Sequence, residues 1–388
     1  MKAYSEYKSS SIDWLGEIPS HWKTAKLKYV ISISNGSDPV LSGDVPVYGT
    51  GENPFKTCGE FKNGPTVLLG RKGTIDSPHW IEGRYWNVDT AFDTKAHKGY
   101  LLRFFWHITN ILDLNPYKST TAVPSMTQTA YENIMLPFPP LVEQVAIAAY
   151  LDDVIGKIDE LIAEKQKQVE DLRSYRISLI TETVTRGLNH GATLRPSGID
   201  WLGDIPEYWI TTKAKYYIEI KSGDPISKDD INPKGSVPIF GGGEIIGFTT
   251  ESNIPARTII IGRVGARCGC VRLTDIEAWA TDNALVVFTS QNPNFLTRIF
   301  EAANLNRLNE SNAQPLITAT KIKDLGIPLP PLAEQQAIAE FLDDKTEKID
   351  TLISELEKQL EELAEYKKAV ISEAVTGKVD VRDWKPQN

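Results

Sequence analysis

The sequence predicts an α+β protein built twice: two globular domains separated by an antiparallel coiled coil of two long helices, with a pseudo-two-fold relation between the halves. Three observations predict this. Ile12-Asp13-Trp14-Leu15-Gly16-Glu17-Ile18-Pro19 returns as Ile199-Asp200-Trp201-Leu202-Gly203-Asp204-Ile205-Pro206. Pro139-Pro140-Leu141-Val142-Glu143-Gln144 returns as Pro330-Pro331-Leu332-Ala333-Glu334-Gln335. After each copy of the second motif, apolar residues recur at alternating three- and four-residue steps, the 3.5-residue rhythm of a coiled coil. A period this long lies far outside the roughly 20–50 residues of solenoid repeats, so the chain is a covalent pseudo-dimer.

In chain order, residues 1–140 form a first globular domain, 141–187 a first long helix, 188–331 a second globular domain, 332–378 a second long helix, and 379–388 a C-terminal tail. Both globular domains carry short β-rich runs bounded by glycine. Val45-Pro46-Val47-Tyr48-Gly49 matches Val237-Pro238-Ile239-Phe240-Gly241, and Thr66-Val67-Leu68-Leu69-Gly70-Arg71 matches Thr258-Ile259-Ile260-Ile261-Gly262-Arg263. Trp86 with Asp89-Thr90-Ala91 matches Trp279 with Asp282-Asn283-Ala284. Between these anchors the copies diverge, so one scaffold carries two different surfaces.

The first helix begins after Pro139-Pro140 with Glu143 in its first turn, and Gly187 follows its last periodic residue. Its seam is Leu151, Ile155, Ile158, Ile162, Val169 and Leu172, with Lys165 as an interruption. The second helix begins after Pro330-Pro331, carries Glu334 in its first turn and stops before Gly377. Its seam is Ile349, Ile353, Leu356, Leu360, Leu363 and Val370, broken at Lys367. At ~1.5 Å per residue each helix would be roughly 65 Å long, a seam too long for one globular domain to cover. The linker from Gly187 to Ile199 spans at most ~40 Å, which puts the second domain near the far end of the first helix and makes the pair antiparallel.

At 388 residues, with 41% hydrophobic and 24% charged residues, the composition is that of an ordinary globular protein of two or three domains. No apolar run reaches the length of a membrane span, and Met1-Lys2-Ala3-Tyr4-Ser5-Glu6 lacks the apolar stretch of a signal peptide. Three cysteines, Cys58, Cys268 and Cys270, make no disulfide framework, and a cytoplasmic location is expected. The net charge of −9 resides in the helices, 141–187 at −3 and 332–378 at −6, so the globular domains are near neutral and composition neither supports nor excludes a basic DNA-facing surface.

Catalytic motifs are scarce. The chain has no Gly-x-x-x-x-Gly-Lys-[Ser/Thr] phosphate loop. Asn115-Pro116-Tyr117 lacks the second proline of an adenine-methyltransferase loop, and no glycine-rich strand–turn–helix precedes it. Cys268-Gly269-Cys270 has the wrong spacing for zinc and reads as two small buried thiols. His21, His79, His97, His107 and His190 show no ligand or triad spacing and read as surface or packing residues. The repeated Trp-Leu-Gly-x-Ile-Pro motifs, with Trp22 and Trp209, read as structural because they persist where the surfaces should differ. The suggestive loops are Gly70-Arg71-Lys72-Gly73 and Gly262-Arg263-Val264-Gly265-Ala266-Arg267. Each follows an apolar strand that holds its cations in place, and arginine can pair in bidentate fashion with guanine or phosphate. Arg71, Lys72, Arg263 and Arg267 are the candidate DNA-binding residues; solvated arginines on a tight turn are the alternative.

Two variable domains alternating with two helices that open on Pro-Leu-x-Glu-Gln-x-Ala-Ile-Ala and continue to Leu-Asp-Asp (Leu151-Asp152-Asp153, Leu342-Asp343-Asp344), then Ile158-Asp159 and Ile349-Asp350, resemble the specificity subunits of type I restriction–modification systems. The resemblance covers essentially the whole chain. It implies that each globular part is a target-recognition domain reading one half of an asymmetric, bipartite, double-stranded DNA target, and that the coiled coil sets the spacer between the halves. It implies two modification (methyltransferase) subunits as partners, with S-adenosylmethionine bound there rather than in this chain, and restriction subunits as further partners. The chain itself would be non-catalytic. A coiled-coil scaffold whose end domains bind proteins is the alternative.

Overall fold

In the computed structural model, which describes residues 2–119, 123–309 and 315–385, the repeated motifs become the joints of two similarly constructed units. The first unit comprises residues 1–166 and 358–388, the second 167–357. The compact units therefore cut across the linear segments. Each contains one globular domain, the start of the helix that follows it, and the end of the other helix.

The apolar runs form the centre of each domain. In the first unit an antiparallel sheet has the order Ile31–Asn35, Ala91–Ala96, Thr66–Gly70, His79–Ile81. In the second the order is Ile218–Ser222, Ala284–Thr289, Ile259–Gly262, Val271–Leu273. Both faces of the central strand are covered, which is why its sequence is continuously apolar instead of alternating. Val67 and Leu69 enter the main core, while Leu68 packs on the other face with Ile81 and Tyr85. Ile259 and Ile261 enter the main core of the second unit, while Ile260 packs with Phe240 and Val286. A second, smaller sheet in each unit contains a parallel pair, Val45–Tyr48 with Arg84–Asn87 and Val237–Gly241 with Trp279–Ala280.

Domain start and domain end are stitched together. Lys23–Lys26 pairs with Met135–Phe138, and Ile210–Lys213 pairs with Gly326–Leu329. Trp14 Nε1 donates to Met135 O at 3.2 Å and Trp201 Nε1 to Gly326 O at 3.0 Å. Leu15, Ile18, Leu202 and Ile205 are buried. The Trp-Leu-Gly-x-Ile-Pro motif is structural, as the sequence implied.

The long helices run Leu141–Arg186 and Leu332–Val375. Their opening Glu-Gln is a joint. Glu143 accepts from Trp22 Nε1 at 2.9 Å and Tyr4 OH at 3.0 Å, with His21 Nε2 at 2.7 Å. Glu334 accepts from Trp209 Nε1 at 3.0 Å and Tyr208 OH at 2.9 Å. Buried Gln144 accepts from Leu101 N and donates to Pro139 O, and buried Gln335 accepts from Asn292 N and donates to Pro330 O. The first aspartate of Leu-Asp-Asp ties down a domain helix. Asp152 holds Arg103 and His107, and Asp343 holds Asn294 and Arg298.

The helix ends reach the opposite domain. Gly187 and Gly377 both take the left-handed conformation that terminates a helix (φ 72° and 73°). A side chain at Gly187 would meet Trp209 at 3.0 Å, and one at Gly377 would meet Pro19 at 2.5 Å, so glycine also serves the close approach. Val370, Ile371, Ala374 and Val375 are buried in the core of the first domain, Ile180 and Val184 in that of the second.

Within each unit the helix pair is antiparallel. In the first, Asp159 pairs with Lys367 (2.5 Å) and Lys165 with Gln359 (2.6 Å). In the second, Arg173 pairs with Glu357 (2.6 Å) and Arg176 with Asp350 (2.9 Å). Ile158, Val169 and Ile349 are buried, and Ile155, Ile162, Leu172, Ile353, Leu356, Leu360 and Leu363 are half-buried, as expected of a seam covered by one partner helix. Lys165 and Lys367 do not break the rhythm: both are half-buried at seam positions, their stems along the groove and their ammonium groups on the facing helix.

Residues 379–385 are tied into the first unit. Asp380 N donates to Lys2 O at 2.8 Å, Val381 is buried, and Trp384 packs edge-on against Tyr150 at 5.4 Å. Among the described residues no helix is long and apolar enough to cross a membrane.

Candidate nucleic-acid interface

The cationic loops emerge where the central strands end. In the first unit Arg71 N donates to Thr90 O at 2.7 Å, Met126 N to Arg71 O at 2.9 Å, and Gly73 N to Pro124 O at 2.9 Å. The second repeats this bond for bond: Arg263 N to Asn283 O at 3.0 Å, Ile317 N to Arg263 O at 2.9 Å, Gly265 N to Pro315 O at 3.0 Å. The loop backbone is thus fixed on both sides. The Arg71 Nη1 rests on Asp89 O at 3.2 Å, and the Arg263 Nη1 on Asp282 O at 3.4 Å. Arg263 Nη1 also lies 3.4 Å from Ser222 Oγ; a guanidinium has five N–H donors in a planar fork, so these contacts orient each group without exhausting it.

The other two candidates differ from this pair. Lys72 is exposed and its backbone bridges to Ser125. Arg267 is exposed but paired with the Glu244 carboxylate. Arg71 and Arg263 are therefore equivalent by position and geometry, and Lys72 and Arg267 are not.

Beside Arg71 lies a cleft of about 460 Å³ lined by Asp38, Thr50, Asn53, Phe55, Lys56 and Asp89. The half-buried Glu60 carboxylate pins the adjoining loop, accepting from Val40 N at 2.7 Å and Leu41 N at 3.0 Å; these amide bonds, Val40 first, hold its pKa below the usual carboxylate value. In the second unit a larger cleft of about 960 Å³ is lined in part by Ile177, Ile245, Arg272 and Asp343.

The remaining candidates fall into the framework. Cys58 and Cys268 are buried and Cys270 is half-buried, with burial pushing the Cys268 thiol up. His107 and His79 are buried, the latter 3.1 Å from Thr50 O, and His97 Nδ1 lies 3.0 Å from Tyr29 O.

The two-part framework accords with the comparisons to known proteins. The family described as the type I restriction modification DNA specificity domain matches residues 19–171 and again 206–362. The chain belongs to this family. A specificity subunit of the type I restriction enzyme MjaVIII from Methanocaldococcus jannaschii is 28% identical over 365 residues, covering 86% of this chain and 80% of that one. The specificity subunit of the type I restriction enzyme EcoBI from Escherichia coli is 23% identical, covering 90% and 80%. A solved structure titled for complex assembly and conformational transition of the type I R-M system shares the fold, with a TM-score of 0.71 at 17% identity over 93% of this chain and 99% of that one. As a member of the specificity family, the chain is a non-catalytic component that recognises DNA through two domains and works with other type I subunits.

The sequence singled out the arginine loops but not the neighbouring hairpin of Asn53 and Phe55, which lines the cleft beside Arg71. The only signal was that the copies differ there while the flanking strands agree.

Proposed function

We propose that each unit reads one half of an asymmetric bipartite DNA target, that the paired helices fix the spacer, and that two modification subunits binding S-adenosylmethionine in their own sites methylate adenine on this chain's direction. Restriction subunits would join the same assembly, and the setting would be cytoplasmic. The observation that carries the reading is the pairing of one conserved framework, down to the bonds around Arg71 and Arg263, with loops that differ in sequence. Framework identity supports two equal docking points for one kind of partner; loop divergence supports two unrelated half-sites. Arg71 and Arg263, with Lys72 and Arg267 beside them, would supply the cationic contacts that set each unit on the duplex.

The test is to co-purify the chain with its modification subunit and sequence the methylated adenines. One asymmetric target with a fixed spacer is expected. Arg71→Ala and Arg263→Ala should each weaken methylation of that target while leaving its accepted bases and its spacer unchanged. A complex that binds no duplex DNA would refute the reading and leave a protein-binding scaffold.

A further inference from the structure

Next to each arginine loop stands a hairpin whose scaffold is common to both units and whose residues are not. Val47 pairs with Lys56 across the first hairpin and lies parallel to Trp86; Ile239 pairs with Gly247 across the second and lies parallel to Trp279. Between those paired residues the first hairpin reads Tyr48-Gly49-Thr50-Gly51-Glu52-Asn53-Pro54-Phe55. The second reads Phe240-Gly241-Gly242-Gly243-Glu244-Ile245-Ile246, one residue shorter. Asn53 is exposed, Phe55 is 60% exposed with the Lys56 ammonium 5.4 Å from its ring, and Ile245 and Ile246 are 53% and 55% exposed.

Hairpin and arginine loop are neighbours in both units. In the first, Asp89, whose carbonyl seats Arg71, lines the same cleft as Thr50, Asn53 and Phe55. In the second, Arg267 pairs with Glu244, Arg272 Nε donates to Gly243 O at 2.7 Å, and a side chain at Gly262 would meet Gly242 O at 2.3 Å.

We propose a division of labour within each unit: Arg71 and Arg263 hold phosphates, while the hairpins 48–56 and 240–247 read base edges in the major groove. Asn53 and Phe55 are the specificity-determining residues of the first unit, and Glu244, Ile245 and Ile246 those of the second. This rests on the reading of the chain as a DNA-recognition subunit. A contact made identically by both units carries no information that separates two different half-sites, whereas side chains that change on a fixed strand pair do. The chemistry suits base edges: an asparagine amide matches adenine N6/N7, a carboxylate accepts from cytosine N4, and apolar side chains meet the thymine methyl. Arg267, one of the cations proposed to set the second unit on the duplex, also positions Glu244 through their ion pair.

The experiment compares methylated-base maps from complexes of the full chain with its modification subunit. Asn53→Ala and Phe55→Ala should relax one or two base positions of one half-site, raising methylation at sites mismatched there about tenfold or more relative to the target, with the other half and the spacer unchanged. Glu244→Gln should do the same in the other half. Arg71→Ala should instead lower methylation of all sites alike and reduce the salt dependence of binding by about one counterion, without altering accepted bases. The proposal is overturned if the hairpin variants keep the target intact, or if Arg71→Ala is the change that alters base preference. Wild-type complexes that methylate no bipartite target would sink the underlying reading instead. Should Phe55→Ala fail to assemble, exposed Asn53→Ala decides the matter by the same outcomes.

Discussion

The residues that position this molecule are few, and each is bound to a partner far away in sequence. Trp209 is 1% exposed and its only polar atom donates to Glu334, 125 residues on. Trp209→Phe keeps an aromatic ring but removes the donor to a charged acceptor and part of the buried indole, so it should destabilise the second unit by at least about 1.5–3 kcal/mol. Chemical denaturation measures this, and a loss too small to detect would mean that Tyr208 alone satisfies the carboxylate. The repeated tryptophans and glutamates were legible as motifs in the sequence. Their union was not, because spacing in sequence says nothing about which buried donor meets which acceptor. The two seam lysines show the same limit: on one helix alone Lys165 is a break, and only the facing Gln359 turns it into a seam residue.

At the scale of the element, the domain helix Leu102–Thr109 is fastened to the first long helix through His107, Arg103 and Asp152. Burial is the largest influence on His107 and lowers its pKa from 6.5, with the hydrogen bond it makes to the Asp152 carboxylate opposing. For Asp152, burial pulls upward, but the His107 and Arg103 contacts outweigh it and the pKa is lowered from 3.8. Below about pH 6.5 the unfolded histidine takes up a proton that the folded one resists, and below 3.8 the unfolded aspartate does the same. Both groups therefore stabilise the first unit at neutral pH and lose that contribution as the pH falls, the histidine first. The unfolding temperature of the first unit should drop between pH 7 and pH 5, and His107→Gln should flatten that drop. An equally steep drop in the variant would assign the effect elsewhere. Helix existence, period and direction were all readable from the apolar rhythm and the bracketing Pro-Pro and Gly, since a long periodic seam leaves few alternatives. The sheet pairings were not, because short glycine-bounded runs name strands without naming neighbours.

For the whole molecule, the spacer reading makes a metrical demand. Removing one heptad from each helix, 162–168 and 358–364, keeps the seam in phase and shortens each helix by about 10 Å. At ~3.4 Å per base pair this is about three base pairs. Complexes carrying both deletions should accept a target with a correspondingly shorter spacer, or none; methylated-base maps with the original spacer would defeat the idea. The duplication and the family resemblance were legible at this scale, while the cut of the compact units was not. Linear segments suggested domain, helix, domain, helix, yet each unit borrows the end of the other repeat's helix.

That borrowing has a consequence for biosynthesis. The second unit, 167–357, is complete in covalent terms before residues 358–388 have left the ribosome. The first domain is made earliest, but its core lacks Val370, Ile371, Ala374, Val375 and Val381 until the last stretch of chain arrives. Translation from the N-terminus ordinarily lets the first domain mature first. Here the order is inverted: the half made first is finished after the second, and a chain that stops between residues 357 and 370 has one whole reader and one whose core stays open.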